Sequence, residues 1–399
     1  MQKIKSNKII ILYFYLISFT TIFYLTSLHL NLSNAMTEWL INYQGGFTRR
    51  GFFGEILFQI AVFFDLELKK LILFVQCSIY SIFFYLLYSL IKELERYILI
   101  YLSIFSAIFL FFPLAELEAL GRKEVLVSIL MLSLVLMKNK SFNFKISFML
   151  VGGIFILLTH EIIFFHILYF VIFLIIDNKN NYFSNNLKII LFLIFFIICG
   201  WLLFKNVYTL EMKNEMCRSL KENLDVLCGF QTHYVANPIS TYMGEVGWRP
   251  INYFRNFFIF FVGFGPLLIL SLFTNFNIKN VNSFFSKIPL FFLILILIIP
   301  SLLIFFLSVD TGRYFHLSYS MTFIFFFGLK FNDLIIIDYK KLSYFEKKIF
   351  PSSKIFSFLI IFLICFSWNP KATYREDLGS IPIYRTFQKL DVFIKTLKW

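Results

Sequence analysis

Residues Ile9 to Leu30 read IIILYFYLISFTTIFYLTSLHL, twenty-two positions in a row without an aspartate, glutamate, lysine or arginine. An α-helix rises about 1.5 Å per residue, so a run of about 20 apolar residues covers a hydrocarbon core of about 30 Å. A stretch of this kind decides the solvent in which the chain folds, and the solvent decides the fold. Lys3, Lys5 and Lys8 precede it, which is also how a secretory signal peptide begins. The apolar run is longer than the usual core of about 7–15 residues, however, and Ser33-Asn34-Ala35 is a weak cleavage site, so the segment is read as a retained signal anchor.

Working outward, the same pattern recurs. Charge-free apolar blocks predict spans near 9–31, 71–91, 97–115, 125–137, 146–159, 162–176, 189–207, 256–274, 288–309, 314–330 and 355–368. Of 399 residues, 59% are hydrophobic, 21% aromatic and only 15% charged. Soluble domains carry about 25% charged residues, and no soluble fold of this size hides so much apolar surface. The expected fold is all-α: a polytopic integral membrane protein with about 11 transmembrane helices and a larger periplasmic loop at 208–255. Neither a fixed-period repeat nor a low-complexity linker divides the chain, so 1–399 is read as a single transmembrane domain.

The net charge of +14 would suggest nucleic acid in a soluble protein. Here the lysines fall in short loops, where basic residues orient helices, and no nucleic-acid partner is expected. Alternating the spans puts Lys3/Lys5/Lys8, Lys92/Arg96, Lys138/Lys140/Lys145, Lys179/Lys188, Lys279/Lys287 and the run from Lys330 to Lys354 on the inner side. The outer, periplasmic side receives 32–70, 116–124, 159–161, 208–255, 310–313 and the tail 369–399, with the N-terminus cytoplasmic. Two choices fix that parity: Phe52–Phe64, which contains Glu55, is taken as an interfacial helix, and two short spans are placed either side of His160. Many Phe, Ile, Asn and Lys with few Ala and Arg suggest an A/T-rich, bacterial genome, hence a bacterial inner membrane.

Ionisable residues near a bilayer are costly, and the outer segments concentrate them in five places. In the glycine-containing loop around Glu38, Trp39 and Tyr43, Arg49 and Arg50 present two guanidinium forks, suited to a diphosphate-linked lipid or to anchoring at lipid headgroups. The hairpin Glu116-Leu117-Glu118-Ala119-Leu120-Gly121-Arg122-Lys123-Glu124 holds a denser charge than a turn needs. Glu116 or Glu118 can serve as a general base there, or the set can neutralise itself as helix caps. His160 and Glu161 sit between unbroken apolar runs as a proton-transfer couple or a structural pair; two adjacent ligands make a weak metal signature. Asp310 and Arg313 either pair with each other or bind substrate. The largest loop carries Arg218, Arg249, Arg255 and Trp248, with Cys217 and Cys228 free to bridge in an oxidising compartment. The chain uses 27 Lys and 10 Arg, and nine of the ten arginines fall outside, Arg96 being the exception. That bias favours ligands with phosphate or carboxylate groups.

On these residues the chain resembles the polyprenol-dependent C-type membrane glycosyltransferases and, among them, the O-antigen polymerases. The resemblance lies in architecture: many spans, an acidic residue in the first outer loop (Glu38), more at the next outer turn (Glu116, Glu118), and a large later outer loop (208–255). Arg218 and Gly229 match the Arg-x10-Gly pattern of such polymerases once, and Glu38 stands alone where many members carry two acidic residues. The resemblance implies bacterial surface-polysaccharide (lipopolysaccharide) assembly. A sugar or repeat unit would pass from an undecaprenyl-diphosphate-linked donor to an acceptor hydroxyl at the outer face, in a membrane-lipid setting and beside other polysaccharide-assembly proteins. Glu116, Glu118 or Glu38 would be the base, with His160 and Glu161 as further catalytic candidates. Arg49, Arg50, Arg122, Lys123, Asp310, Arg313, Arg218 and Arg249 would bind the substrate. Trp39, Tyr43 and Trp248 would stack on sugars or sit in an interfacial belt. No cofactor is implied and no metal residue is assigned; a divalent cation has no support in the residues. The competing class is a polytopic transporter or lipid-linked sugar flippase, which His160 and Glu161 keep open.

Overall fold

The computed structural model describes residues 8–30, 34–95, 97–178, 183–205, 209–228, 250–281, 285, 287–307, 311–350 and 354–371. The chain is mostly helical. In order it forms α1 (Lys8–Leu30), α2 (Gly51–Phe63), α3 (Leu68–Ile91), α4 (Ile98–Ile104), α5 (Val125–Leu136), α6 (Phe142–Thr159) and α7 (Ile163–Asp177). There follow α8 (Phe183–Lys205), α9 (Leu210–Leu224), α10 (Pro250–Leu272), α11 (Leu290–Leu307), α12 (Thr311–Phe331), α13 (Tyr339–Ile349) and α14 (Lys354–Phe366). Four of these, α1, α3, α6 and α8, are long and apolar enough to cross a membrane, and shorter apolar helices pack among them. Their outer surfaces are apolar: Phe19, Phe74, Tyr85, Val151 and Trp201 are each more than half exposed. In water every such side chain would cost about 25 cal/mol per Å² of exposed apolar surface, a penalty that a bilayer removes.

At the centre stands α12, every residue of which from Thr311 to Leu329 is buried except His316. It packs on α5, α7, α10 and α11. Its aromatic stripe meets α4 and its continuation, with Phe109 and Phe323 ring centroids 4.5 Å apart. Wrapped on all sides, α12 tolerates Ser318, Ser320 and Thr322 because their hydroxyls bond within the bundle, as Thr322 does to the Ser318 carbonyl at 2.7 Å.

Residues 97–115, expected as one span, are not one helix. α4 ends at Ile104, turns run from Ser106 to Phe111, and helix resumes for a single turn at Phe112–Ala115. Pro113 falls in the first turn of the resumed helix, where its missing N–H leaves nothing unsatisfied, and the Phe109 carbonyl takes the Phe112 amide at 3.1 Å. Interior backbone freed by the break must find other partners. Tyr319 Oη donates to the Ser103 carbonyl at 2.6 Å, and Ser106 Oγ donates to the Gly263 carbonyl at 3.0 Å. His316 Nδ1 lies 3.0 Å from the Ile108 carbonyl.

One end of the bundle is rich in lysine. Here the all-α expectation needs correcting, because β1 (Thr274–Phe276) pairs antiparallel with β2 (Ile335–Ile337), Asn275 opposite Ile336. The three successive β-branched residues of β2 favour extended backbone, and the side-chain amides of Asn277 and Asn280 hold the Asp333 carbonyl at the adjoining turn. The run 330–354, expected as a plain inner loop, thus contains a strand and the amphipathic helix α13. α13 is capped by Asp338, whose carboxylate accepts from the Lys341 amide. Glu346 on α13 accepts from the Leu99 amide at 2.9 Å and so caps the start of α4. Lys145 meets Asp177 at 2.5 Å and Lys138 meets Asp333 at 2.6 Å at the same end.

The opposite end gathers the other chemistry. The segment 208–255 is not all loop: α9 occupies Leu210–Leu224, and Cys217 is joined to Cys228. Met216 and Leu220 of α9 are buried in a second apolar cluster with Met36, Trp39, Leu57 and Phe58. α9 therefore sits on the segment that contains Trp39, and α2 lies between α9 and α6.

Candidate functional site

Seven ionisable side chains from four separate stretches of sequence meet at this end. Glu38 comes from the one-turn helix Glu38–Leu40, and Arg50 from the residue preceding α2. Arg122 and Glu124 come from the turn before α5, His160 and Glu161 from the turn between α6 and α7, and Arg313 from the first turn of α12.

The turn before α5 is fixed by Gly121. Trp39 Nε1 and Gln76 Nε2 both donate to the Gly121 carbonyl, at 2.7 and 2.9 Å, while the Gly121 amide donates to Tyr80 Oη at 3.1 Å. With both backbone groups held and φ at +78°, the position suits glycine alone; a Cβ would lie 3.0 Å from Gln76 Nε2 and 3.2 Å from Leu25 Cδ2. Gly121→Ala should therefore destabilise the protein by about 1–3 kcal/mol, read as a lower thermal midpoint in detergent; an unchanged midpoint would show that this turn is not under such constraint.

Arg50 is itself left-handed, φ 65°, an uncommon conformation for a non-glycine residue. Three partners hold it. Its guanidinium forks onto Glu161, with Nη2 to Oε1 at 2.7 Å and Nε to Oε2 at 2.9 Å. Nη1 lies 3.6 Å from Glu38 Oε1, and its carbonyl accepts from Lys123 Nζ at 2.8 Å. Lys123 is wholly buried over the Trp39 ring, 5.6 Å from its centroid, and burial pushes its pKa down to about 8.

Glu38 is fully buried and faces three cationic or protonatable groups: Arg122 Nη1 at 3.4 Å, Arg50, and His160 Nε2 at 3.2 Å. Burial by itself would raise its pKa, yet these neighbours hold it well below the usual carboxylate range. The same competition keeps Glu161 ionised, with Arg50 the main opponent of burial and Arg49, half-buried beside it, adding to the effect. Glu124 accepts from Arg313 Nη2 and lies 3.6 Å from His160 Nε2.

His160 is the hub. Its Nδ1 accepts from the Ile162 amide at 3.2 Å, which puts the proton of the neutral ring on Nε2, toward Glu38 and Glu124. Doubly protonated, Nδ1 would face Glu161 Oε2, 3.7 Å away. Burial and Arg50 work against the cation, but the surrounding carboxylates Glu124, Glu38 and Glu161 prevail and raise its pKa above the ordinary value. The protonated ring therefore contributes stability that is fully present below about pH 6.5 and lost as pH rises through the raised value. The stability gap between the native protein and His160→Gln, followed by thermal unfolding from pH 5.5 to 9, should shrink as pH rises; a gap that widens would contradict this arrangement.

Next to the network lies a small cavity of about 40 Å³. Arg122, Glu124, Arg313 and His316 line it together with Phe83, Phe84, Leu110 and Leu317. His316 stacks on Phe112 at 5.3 Å between centroids and is held by the Ile108 carbonyl. A carbonyl only accepts, so Nδ1 carries the proton and Nε2 of the neutral ring keeps a lone pair.

Of the residues expected from sequence, Glu38, Arg50, Arg122, Lys123, His160, Glu161 and Arg313 are brought together, with Arg49 alongside. Glu116 is buried elsewhere, against Asn369 Nδ2 at 3.2 Å and Lys371 Nζ at 3.8 Å. The exposed Glu118 contributes only its carbonyl, to Arg122 Nε at 2.8 Å. Arg218 is exposed on α9 and paired with Glu215. Arg249, Asp310 and Trp248 lie outside the described residues. Trp39 is buried and bonded, so it presents no face to a sugar, and half-buried Tyr43 stacks on Phe47. Glu124 and His316 were missed as site residues. Both lie within stretches singled out for their charge, but only the spatial arrangement distinguishes them from their neighbours.

No protein-family model matches the chain, and no curated protein or solved structure is similar enough to count as a match.

Proposed function

We propose that this chain is a membrane glycosyltransferase of surface-polysaccharide assembly, moving a sugar or a repeat unit from an undecaprenyl-diphosphate-linked donor to an acceptor hydroxyl. The observation that supports this is the mixed lining of the cavity, where two guanidinium groups, Arg122 and Arg313, occur together with aromatic and aliphatic side chains. A lipid diphosphate likewise combines an anionic head with an apolar tail. The lysine-rich end, with Lys138, Lys145 and Lys341, supports reading that end as cytoplasmic by the positive-inside rule; on this reading of a bacterial inner-membrane protein with about 11 spans, the cavity faces the periplasm.

In the reaction, the acceptor hydroxyl gives its proton to His316 Nε2 while its oxygen bonds to the anomeric carbon of the donor. The bond from that carbon to the phosphate oxygen breaks, and the electron pair leaves with the diphosphate, whose added charge Arg122 and Arg313 stabilise. Glu124 holds Arg313 in place. Glu38, locked among cations, and Glu116, tied to the segment after α14, are less suited to take a proton than an imidazole with a lone pair beside the cavity.

Deleting the gene and restoring it tests this reading. Deletion should leave single-repeat glycolipid at the surface, and Arg313→Ala, expressed at native level, should fail to restore long chains; an unchanged surface polysaccharide would overturn it. The competing reading, a flippase or transporter, draws on the interrupted segment between α4 and the Phe112–Ala115 turn, a feature of helices that line transport sites. Proteoliposomes that move a labelled lipid-linked sugar across the bilayer without extending it would favour that alternative.

A further inference from the structure

A second cavity, about 360 Å³ and open along one side, lies between α1 and α3. On α1 it is lined by Ile11, Phe14, Tyr15, Ser18 and Ile22, spaced three or four residues apart, so it follows one face of that helix for about three turns. On α3 it is lined by Ser81, Phe84, Tyr85 and Tyr88. Tyr15 and Tyr85 are 69% and 71% exposed, so the groove opens on the apolar perimeter and not into the bundle.

Phe84 also lines the charged cavity, together with Thr21 of α1 and Tyr80 and Phe83 of α3. The two spaces are therefore neighbours on the same pair of helices: they share Phe84 and adjoin at Thr21 and Ile22, and the groove continues down α1 to Ile11. From Thr21 to Ile11 is about 15 Å along the helix axis. Both α1 and α3 are long and apolar enough to cross a membrane, so the groove descends from the charged end into the depth of a bilayer. Phe84 divides the two spaces, its ring set edge-on to Phe14 at 6.4 Å.

We propose that the α1–α3 groove seats the single polyprenyl chain of a lipid whose phosphate lies against Arg122 and Arg313, with Phe84 at the junction. This rests on the glycosyltransferase reading for the identity of the head, but not for the path of the tail. One groove between two helices accommodates one chain, as in a polyprenyl phosphate, whereas a glycerophospholipid must place two. The chain slides in from the side, and the anionic head reaches the cavity without crossing the apolar perimeter on its own.

The test uses the full-length protein in nanodiscs with undecaprenyl phosphate bearing a photoreactive diazirine on its chain. Labelled peptides should come from α1 and α3, from the stretches around Ser18 and Tyr85. Ser18→Trp, which fills the groove at a half-buried serine, should lower that labelling at least ten-fold. The same variant should still bind geranyl phosphate, whose short chain need not enter the groove, within two-fold of the native affinity. Labelling confined to other helices, or labelling unaffected by Ser18→Trp, would overturn the tail path and leave the glycosyltransferase reading standing. A diacyl phosphatidic acid probe that labels the groove as efficiently as the polyprenyl probe would overturn the choice of a single-chain lipid.

Discussion

With His316 replaced by asparagine, glycosyl transfer should fall by about 10²–10⁴-fold, the range that a positioned general base contributes. Asparagine is chosen because its Nδ2 can occupy the place of the imidazole Nδ1 and keep the hydrogen bond to the Ile108 carbonyl, while nothing replaces the Nε2 lone pair. The thermal midpoint should therefore stay close to native. The limb of the kcat/KM profile on which rate falls with decreasing pH should also disappear, a change that a merely structural histidine would not produce. If the asparagine variant retains native turnover, the base is elsewhere. Glu124, the carboxylate that also lines the cavity, would then be the next group to test.

Glu38→Gln should cost about 3–5 kcal/mol of stability, because removing one charge from a buried cluster leaves its partners desolvated and unpaired. Arg122 is almost wholly buried and has Glu38 as its carboxylate neighbour; Arg50 and His160 lose part of their compensation at the same time. Denaturant or thermal unfolding in detergent reads this directly. Replacing Glu38 and Arg122 together by leucine and methionine should recover much of the loss, since an apolar pair leaves fewer stranded charges. A Glu38→Gln protein as stable as the native one would mean that the cluster is hydrated and that the buried network is wrongly drawn.

Much of this was legible in the sequence for a simple reason. A bilayer demands long apolar runs, and such runs are visible residue by residue. The helices around 8–30, 68–91, 142–159 and 183–205 follow directly, and the segments that stand out for their charge supply Glu38, Arg50, Arg122, His160, Glu161 and Arg313, which lie together at one end of the bundle. Hydropathy carries no record of backbone hydrogen bonding, however. Residues 97–115 are apolar throughout their first part whether helical or not, and only Pro113 hints at the interruption that leaves the Ile108 carbonyl facing His316. The helix α9 was hidden for the opposite reason. Its polar face resembles a loop, and its few apolar residues, Met216 and Leu220, mean something only once Trp39 and Phe58 are known to lie against them. Choosing among Glu116, Glu118 and Glu124 was beyond sequence. All three sit within nine residues, and their roles diverge through contacts to Asn369, to solvent and to Arg313, two of which lie far along the chain.

The most direct measurement is reconstitution. Purified protein in proteoliposomes is given a defined undecaprenyl-diphosphate-linked oligosaccharide, and the products are sized by mass spectrometry. The expected product is lengthened glycolipid with release of undecaprenyl diphosphate, abolished by His316→Asn and by Arg313→Ala with the protein still folded. Donor that remains intact, or that crosses the bilayer without being extended, would contradict it.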